Sequence, residues 1–82
     1  MHFVYILCCR DGSLYTGWTT DLEKRLKRHN EGKGAKYTRG RIPVYLAYFE
    51  KYKDQSTALK REHKIKKMSK KQKLKLINDS NL

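Results

Sequence analysis

Two apolar, β-prone runs, His2–Cys9 and Leu14–Thr19, flank an Asp11-Gly12 pair, and this pattern predicts a β-hairpin. A strict two-residue turn would pair Cys9 with Leu14 and leave Tyr5 and Tyr15 on opposite faces. A three-residue loop or a bulge shifts the register by one and brings both tyrosines onto one face. The pattern alone leaves both registers open. Thr20-Asp21-Leu22-Glu23 then has the form of a capping box, with Thr20 as N-cap. It opens a helix from Asp21 to about Glu31, which Gly32 ends in a left-handed conformation. Leu22 and Leu26 form its apolar stripe, His29 continues the same line, and Arg25 stands at its edge.

The segment from Gly32 to Arg41 is a glycine-rich, basic loop in which Lys33, Lys36, Tyr37, Thr38, Arg39 and Arg41 could run along a phosphate backbone. An ordinary mobile connection explains the same composition equally well. Pro43 opens a third strand, Val44–Glu50. Asp54 or Ser56 caps a second helix reaching about Lys67, with Ala58, Leu59, Glu62 and Ile65 as its expected inner face. Glu62 is the odd member, since a carboxylate on an apolar stripe must be paired, hydrogen-bonded or bound to a cation. A salt bridge to Arg61, Lys66 or Arg25 is the plain explanation. Ser69-Lys70-Lys71-Gln72 repeats the capping-box pattern for a last helix anchored by Leu74 and Ile77, and residues 78–82 are expected to fray.

These elements predict an α+β fold, a small three-stranded antiparallel sheet flanked by helices in the order ββαβαα. Eighty-two residues suit a single domain, 1–82. Charge changes the picture most: twenty Lys and Arg against eight Asp and Glu give a formal net charge of +12. Such an excess destabilises a compact fold unless a polyanion uses it, which points to nucleic acid. Lys60, Lys64 and Lys67 belong to the most basic stretch, either a solvated face or a footprint for phosphates. Cys8 and Cys9 are adjacent, point to opposite faces of a strand and match no zinc spacing. With no signal peptide and no long apolar run, the expectation is a reduced, cytoplasmic protein without membrane contact.

Val4-Tyr5-Ile6, Tyr15-Thr16-Gly17, the Thr20–Leu26 segment with Arg25, His29 and Asn30, and Ala58-Leu59-Lys60-Arg61-Glu62 follow one another in an order that resembles the GIY-YIG nuclease superfamily. The likeness is to its small stand-alone bacterial members, the UPF0213 group, and it covers nearly the whole chain. It implies a site in which Tyr5, Tyr15, Arg25 and Glu62 surround a scissile phosphate. Glu62 would hold one divalent metal, Mg²⁺ or Mn²⁺, and Arg25 would stabilise the charge developing on phosphorus. Tyr15 or Tyr5 would position or deprotonate the attacking water, with His29 as a rival base. An unperturbed phenol is a poor base at neutral pH, so the metal and Arg25 would have to lower its pKa.

The chain departs from the family pattern at Phe3-Val4-Tyr5, which lacks the glycine, and at Thr16 and Trp18. It is also expected to lack an appended DNA-reading domain. The reading is therefore a metal-dependent phosphodiesterase acting on DNA in preference to RNA, weak or structure-directed, or drawing specificity from a partner protein. The rival reading is a non-catalytic, basic nucleic-acid-binding module. A helix-turn-helix reading of the last two helices is weaker, because the second carries many cations and few base-reading side chains.

Overall fold

The structure is a computed structural model that describes residues 1–80. It runs β1 (His2–Cys9), β2 (Leu14–Thr19), α1 (Leu22–Asn30), α2 (Lys36–Arg39), β3 (Val44–Tyr52), α3 (Gln55–Lys66) and α4 (Lys70–Asp79). The three strands form one antiparallel sheet in the order β2-β1-β3. This is the α+β architecture expected from the sequence, with the single turn of α2 added inside the basic loop. Among the described residues, no helix is long and apolar enough to cross a membrane.

The hairpin takes the shifted register. Arg10, Asp11 and Gly12 form a three-residue loop, closed by Gly12 N–H to Cys9 O and Cys9 N–H to Ser13 O, both 2.9 Å. Gly12 has φ +84°, the left-handed conformation that a three-residue loop of this kind requires. Tyr5 therefore faces Gly17 and Leu7 faces Tyr15, so the two tyrosines share a face. A second irregularity lies between β1 and β3: Ile6 pairs with Tyr48 and Leu7 with Leu46, leaving Ala47 as the extra residue.

Each face of β1 buries a separate core. On one side Val4 and Ile6 pack with Ala58 and Ile65 of α3, and Trp18, Tyr48, Met68 and Ile77 close around them. On the other side Tyr5, Leu7, Cys9 and Val44 pack with Leu22 and Leu26 of α1. Two expected anchors point outward. Leu59 is 39% exposed, since it is turned by about 100° from Ala58. Leu74 is 41% exposed, and Leu76 packs with Ile77 in its place.

The caps follow the sequence signals with one shift. Asp21, rather than Thr20, caps α1 by accepting from Lys24 N–H at 3.1 Å, and Glu23 lies on the exposed side. The helix ends with Lys33 N–H on Arg28 O and Gly32 N–H on His29 O, with Gly32 at φ +75°. Asp54 caps α3, and Ser69 with Gln72 forms the expected capping box of α4. In the expected tail, Asn78 and Asp79 are still helical and Ser80 caps α4; residues 81–82 lie outside the described residues.

A half-buried ion pair fixes α3 against the sheet. Arg61 donates from Nε and Nη2 to the two carboxylate oxygens of Glu50 at 2.9 and 3.0 Å. Tyr48 and Tyr52 donate to the same carboxylate. Burial works against the charged carboxylate, but the donors from Arg61, Tyr48 and Tyr52 together hold its pKa below the usual range. Removing Glu50 strands a guanidinium and two phenols. Glu50→Ala should cost about 2–3 kcal/mol, less than a fully buried pair because both partners keep some solvent contact. Urea denaturation of the two proteins measures it, and a loss below about 0.5 kcal/mol would contradict the structural role.

Candidate active site

The shared face of the hairpin and the inner side of α1 meet around the hydroxyl of Tyr5. Tyr5 lies flat across β2 because Gly17 has no side chain: a Cβ there would collide with Oη and Cζ of Tyr5. Arg25 Nε donates to Tyr5 Oη at 3.4 Å, and His29 Nε2 lies 3.0 Å from the same oxygen. His29 Nδ1 is 2.8 Å from Thr38 Oγ1, which also reaches Ala35 O at 3.0 Å. We assign the protons from the shortest contacts as one donor chain, Arg25 to Tyr5 to His29 to Thr38 to Ala35 O. Ala35 N–H approaches His29 Nδ1 only at 3.5 Å.

Tyr15 completes an aromatic wall. Its ring centroid lies 6.4 Å from that of Tyr5, 5.4 Å from that of His29 and 5.8 Å from that of Tyr37, on which it stacks. Arg25 opens onto a cleft of about 200 Å³ that it lines with Thr19, Thr20, Lys24 and Arg28 among others. Glu62 approaches from α3 on the far side of β2 and contributes to the electrostatic field at Tyr5. Its carboxylate lies 3.4 Å from Lys66 Nζ, so of the three ion pairs open to it in sequence it makes the one with Lys66.

The electrostatics correct two expectations. Burial raises the Tyr5 phenol above its usual 10; the Arg25 hydrogen bond pulls the other way without cancelling that effect. Tyr5 is thus protonated at neutral pH in this state. His29 is fully buried, and desolvation, reinforced by the Arg25 charge, lowers its pKa from the usual 6.5 to about 4. A neutral, sealed imidazole cannot meet a water molecule itself. His29 is therefore no free-standing rival base, and it reaches the site only through Tyr5.

The basic loop divides likewise. Lys33, Lys36, Tyr37 and Arg39 are exposed, as are Lys60, Lys64 and Lys67. Thr38 is fully buried with its hydroxyl engaged by His29 and Ala35, which removes it from the phosphate-facing set. Arg41 is held by Asp11 at 3.1 Å, by Tyr37 O at 2.7 Å and over the Tyr37 ring at 4.2 Å, and so braces the loop against the hairpin. Gly34 has a role that turn chemistry did not reveal: a Cβ there would strike the His29 ring, 2.7 Å from Cγ. Asn30 exchanges hydrogen bonds with Val44 N–H and C=O at 2.7 and 3.1 Å and ties α1 to the start of β3.

With this geometry in view, the model of the GIY-YIG catalytic domain matches residues 1–75. The chain belongs to the GIY-YIG family. It is 57% identical over 82 residues to a UPF0213 protein of Clostridium perfringens, covering all of this chain and 88% of that one. A UPF0213 protein of Haloquadratum walsbyi is 54% identical over 78 residues, covering 95% of this chain and 88% of its own length. Among solved structures, the solution NMR structure of a UPF0213 protein from Bacillus halodurans aligns with TM-score 0.63 at 46% identity, over 96% of this chain and 84% of that one. A second NMR structure, of a protein from E. faecalis, aligns with TM-score 0.60 at 43% identity, over 99% and 90% of the two chains. Membership supports a nuclease-type function for this GIY-YIG domain and a three-stranded fold in common with its relatives.

Two outcomes follow from the packing around Tyr5. Unfolded His29 takes up protons below about pH 6.5 while the folded residue does so only near pH 4, so stability falls as the pH drops through that interval. The expected loss is about 2–3 kcal/mol, and thermal melts of His29→Gln over the same range should be flatter. Gly17→Ala should displace the Tyr5 ring and destabilise the fold by about 1–3 kcal/mol. An unshifted Tyr5 ring resonance in NMR spectra of that variant would contradict the close approach.

Proposed function

We propose that this GIY-YIG domain is a divalent-metal-dependent endonuclease acting on DNA. The observation that carries the reading is that Tyr5, Tyr15 and Arg25 meet on one face of the hairpin, with Glu62 of α3 near enough to act electrostatically on the Tyr5 phenol. Among the described residues there is no group of three or more His, Cys, Asp or Glu side chains able to hold a metal. One carboxylate suits Mg²⁺, which keeps most of its water shell and takes further oxygens from phosphate. Glu62 is the residue that would hold it. The ion would supply Lewis-acid polarisation of the phosphate and neutralise charge on the oxygens.

Arg25 has a fixed guanidinium at the mouth of the cleft, suited to the non-bridging phosphate oxygens as negative charge grows on them. With substrate bound, the oxygen of Tyr5, a residue 2% exposed in the free protein, would accept a hydrogen bond from the attacking water while its own proton points at His29 Nε2. Hydrolysis joins the water oxygen to phosphorus and breaks the bond to the leaving oxygen. The water proton would pass to Tyr5 Oη as the phenol proton shifts to His29. The pair would return to its starting state by releasing a proton as the departing oxygen takes one up from solvent. Tyr15, half-buried beside this pair, would limit where the strand can lie. The free thiols of Cys8 and Cys9 agree with a reducing, cytoplasmic setting.

The alternative, a binding module without turnover, draws support from the Lys66 partner of Glu62 and from the charge of +12. Two variants separate the readings. Glu62→Gln and Arg25→Ala should each reduce Mg²⁺- or Mn²⁺-dependent cleavage of branched, flapped and single-stranded DNA by about 10²–10³-fold. Binding of Glu62→Gln to the same DNA in EDTA should stay within about threefold of the parent. Cleavage by Glu62→Gln at the parent rate would remove the site from the reaction.

A further inference from the structure

A second cleft lies at the tip of the hairpin. It has a volume of about 300 Å³ and is lined by Asp11, Ser13, Leu14, Tyr37, Met68, Lys70 and Lys73. None of the residues assigned above to the reacting phosphate lines it. The geometry points to a subsite for a phosphodiester of the same nucleic-acid strand, flanking the reacting one, with Lys70 and Lys73 as its cations. The inference rests on the nuclease reading for the identity of the strand and deepens it by giving the strand a direction of travel.

Position is the first argument. Tyr37, whose body walls this cleft, stacks on Tyr15. Tyr15 lies beside Tyr5 and His29, between this cleft at the Leu14 end of β2 and the Arg25 cleft at its Thr19 end. From the other helix pair, Glu62 is paired with Lys66, and the Lys66 charge acts on Lys73. A line of groups thus leads from the candidate metal ligand to the hairpin tip. A strand that leaves the Arg25 cleft and follows β2 past Tyr15 toward the hairpin tip would reach Lys70 and Lys73.

Charge is the second. Among the described residues neither Lys70 nor Lys73 has an acidic partner, and the one acid on the lining, Asp11, is taken up by Arg41. Lys70 Nζ reaches over the turn, 4.0 Å from the position a Cβ on Gly12 would occupy. Lys73 is half-buried, and loss of solvent together with the Lys66 charge lowers its pKa. A partly desolvated ammonium beside a like charge is unfavourable in the empty protein and is relieved by an anion. The exposed edge of the Tyr37 ring, 41% accessible, adds a hydroxyl-bearing wall.

Binding of a fluorescein-labelled oligothymidylate in EDTA, followed by anisotropy against salt concentration, tests this without any turnover. Lys70→Ala/Lys73→Ala should bind about tenfold more weakly at fixed salt and lower the slope of log K against log salt by about 0.7 for each lost phosphate contact. Lys51→Ala/Lys53→Ala, on the opposite side of the sheet, removes the same charge and should change affinity by less than about threefold. Lys70→Arg/Lys73→Arg should restore binding, which separates lost charge from damage to the fold. Equal losses in the two alanine pairs would overturn the subsite. Competition by inorganic phosphate as effective as that of a thymidine dinucleotide would also overturn it, leaving a generic anion site. Wild-type protein that binds as expected but never cleaves would refute the nuclease reading and leave the subsite standing.

Discussion

The register of one hairpin decides whether this protein has a site at all. Three residues in the loop, rather than two, place Tyr5 and Tyr15 on a common face, and Gly12 in the left-handed region makes that loop possible. A slip by one residue would send Tyr15 into the core beneath α3 and leave Tyr5 alone opposite α1. Everything else at the cleft is arranged around that choice. Gly17 clears space for the phenol, α1 brings Arg25 and His29 to its oxygen, and the buried Thr38 closes the chain of hydrogen bonds from behind.

Much of this was readable from residue order, and the unread parts share a cause. Strands, helices and most caps carry local signals, such as the Asp11-Gly12 pair, the Gly32 stop and the Ser69–Gln72 box, and these appear as expected. The Thr20 cap failed by one residue because Asp21, a stronger acceptor, stood next to it. Leu59 and Leu74 failed because a helical stripe read without its neighbours does not say which edge of the stripe is covered. On composition Thr38 could stand among phosphate donors or in an ordinary connection, and only the three-dimensional contact with His29 reveals that it is buried. Glu62 stands out as a carboxylate on its stripe, and its partner Lys66 sits four residues on in the same helix, a pairing that the spacing already offers. Arg61, one residue away, was weighed only as a partner for Glu62, yet its ion pair with Glu50 is what orients the helix.

Opposing electrostatic demands meet in a small space. The surface is strongly cationic, while the centre is tuned to stay neutral: Tyr5 keeps its proton, and His29 declines one. Burial is responsible for both. The arrangement separates the surface cations from a neutral, hydrogen-bonded phenol and imidazole. Only Arg25 belongs to both sets, because its guanidinium touches the phenol and opens onto the outer cleft.

Gly34 lies against the Nδ1 edge of the imidazole, and Thr38, four residues later, bonds the same nitrogen. The exposed lysines of the same segment, Lys33 and Lys36, are therefore mounted on a backbone that is bolted to His29. A nucleic acid that tugs this segment outward would loosen the histidine and, through it, the orientation of the phenol. The position of the basic segment and the orientation of the Tyr5 hydroxyl are thereby tied through one buried ring.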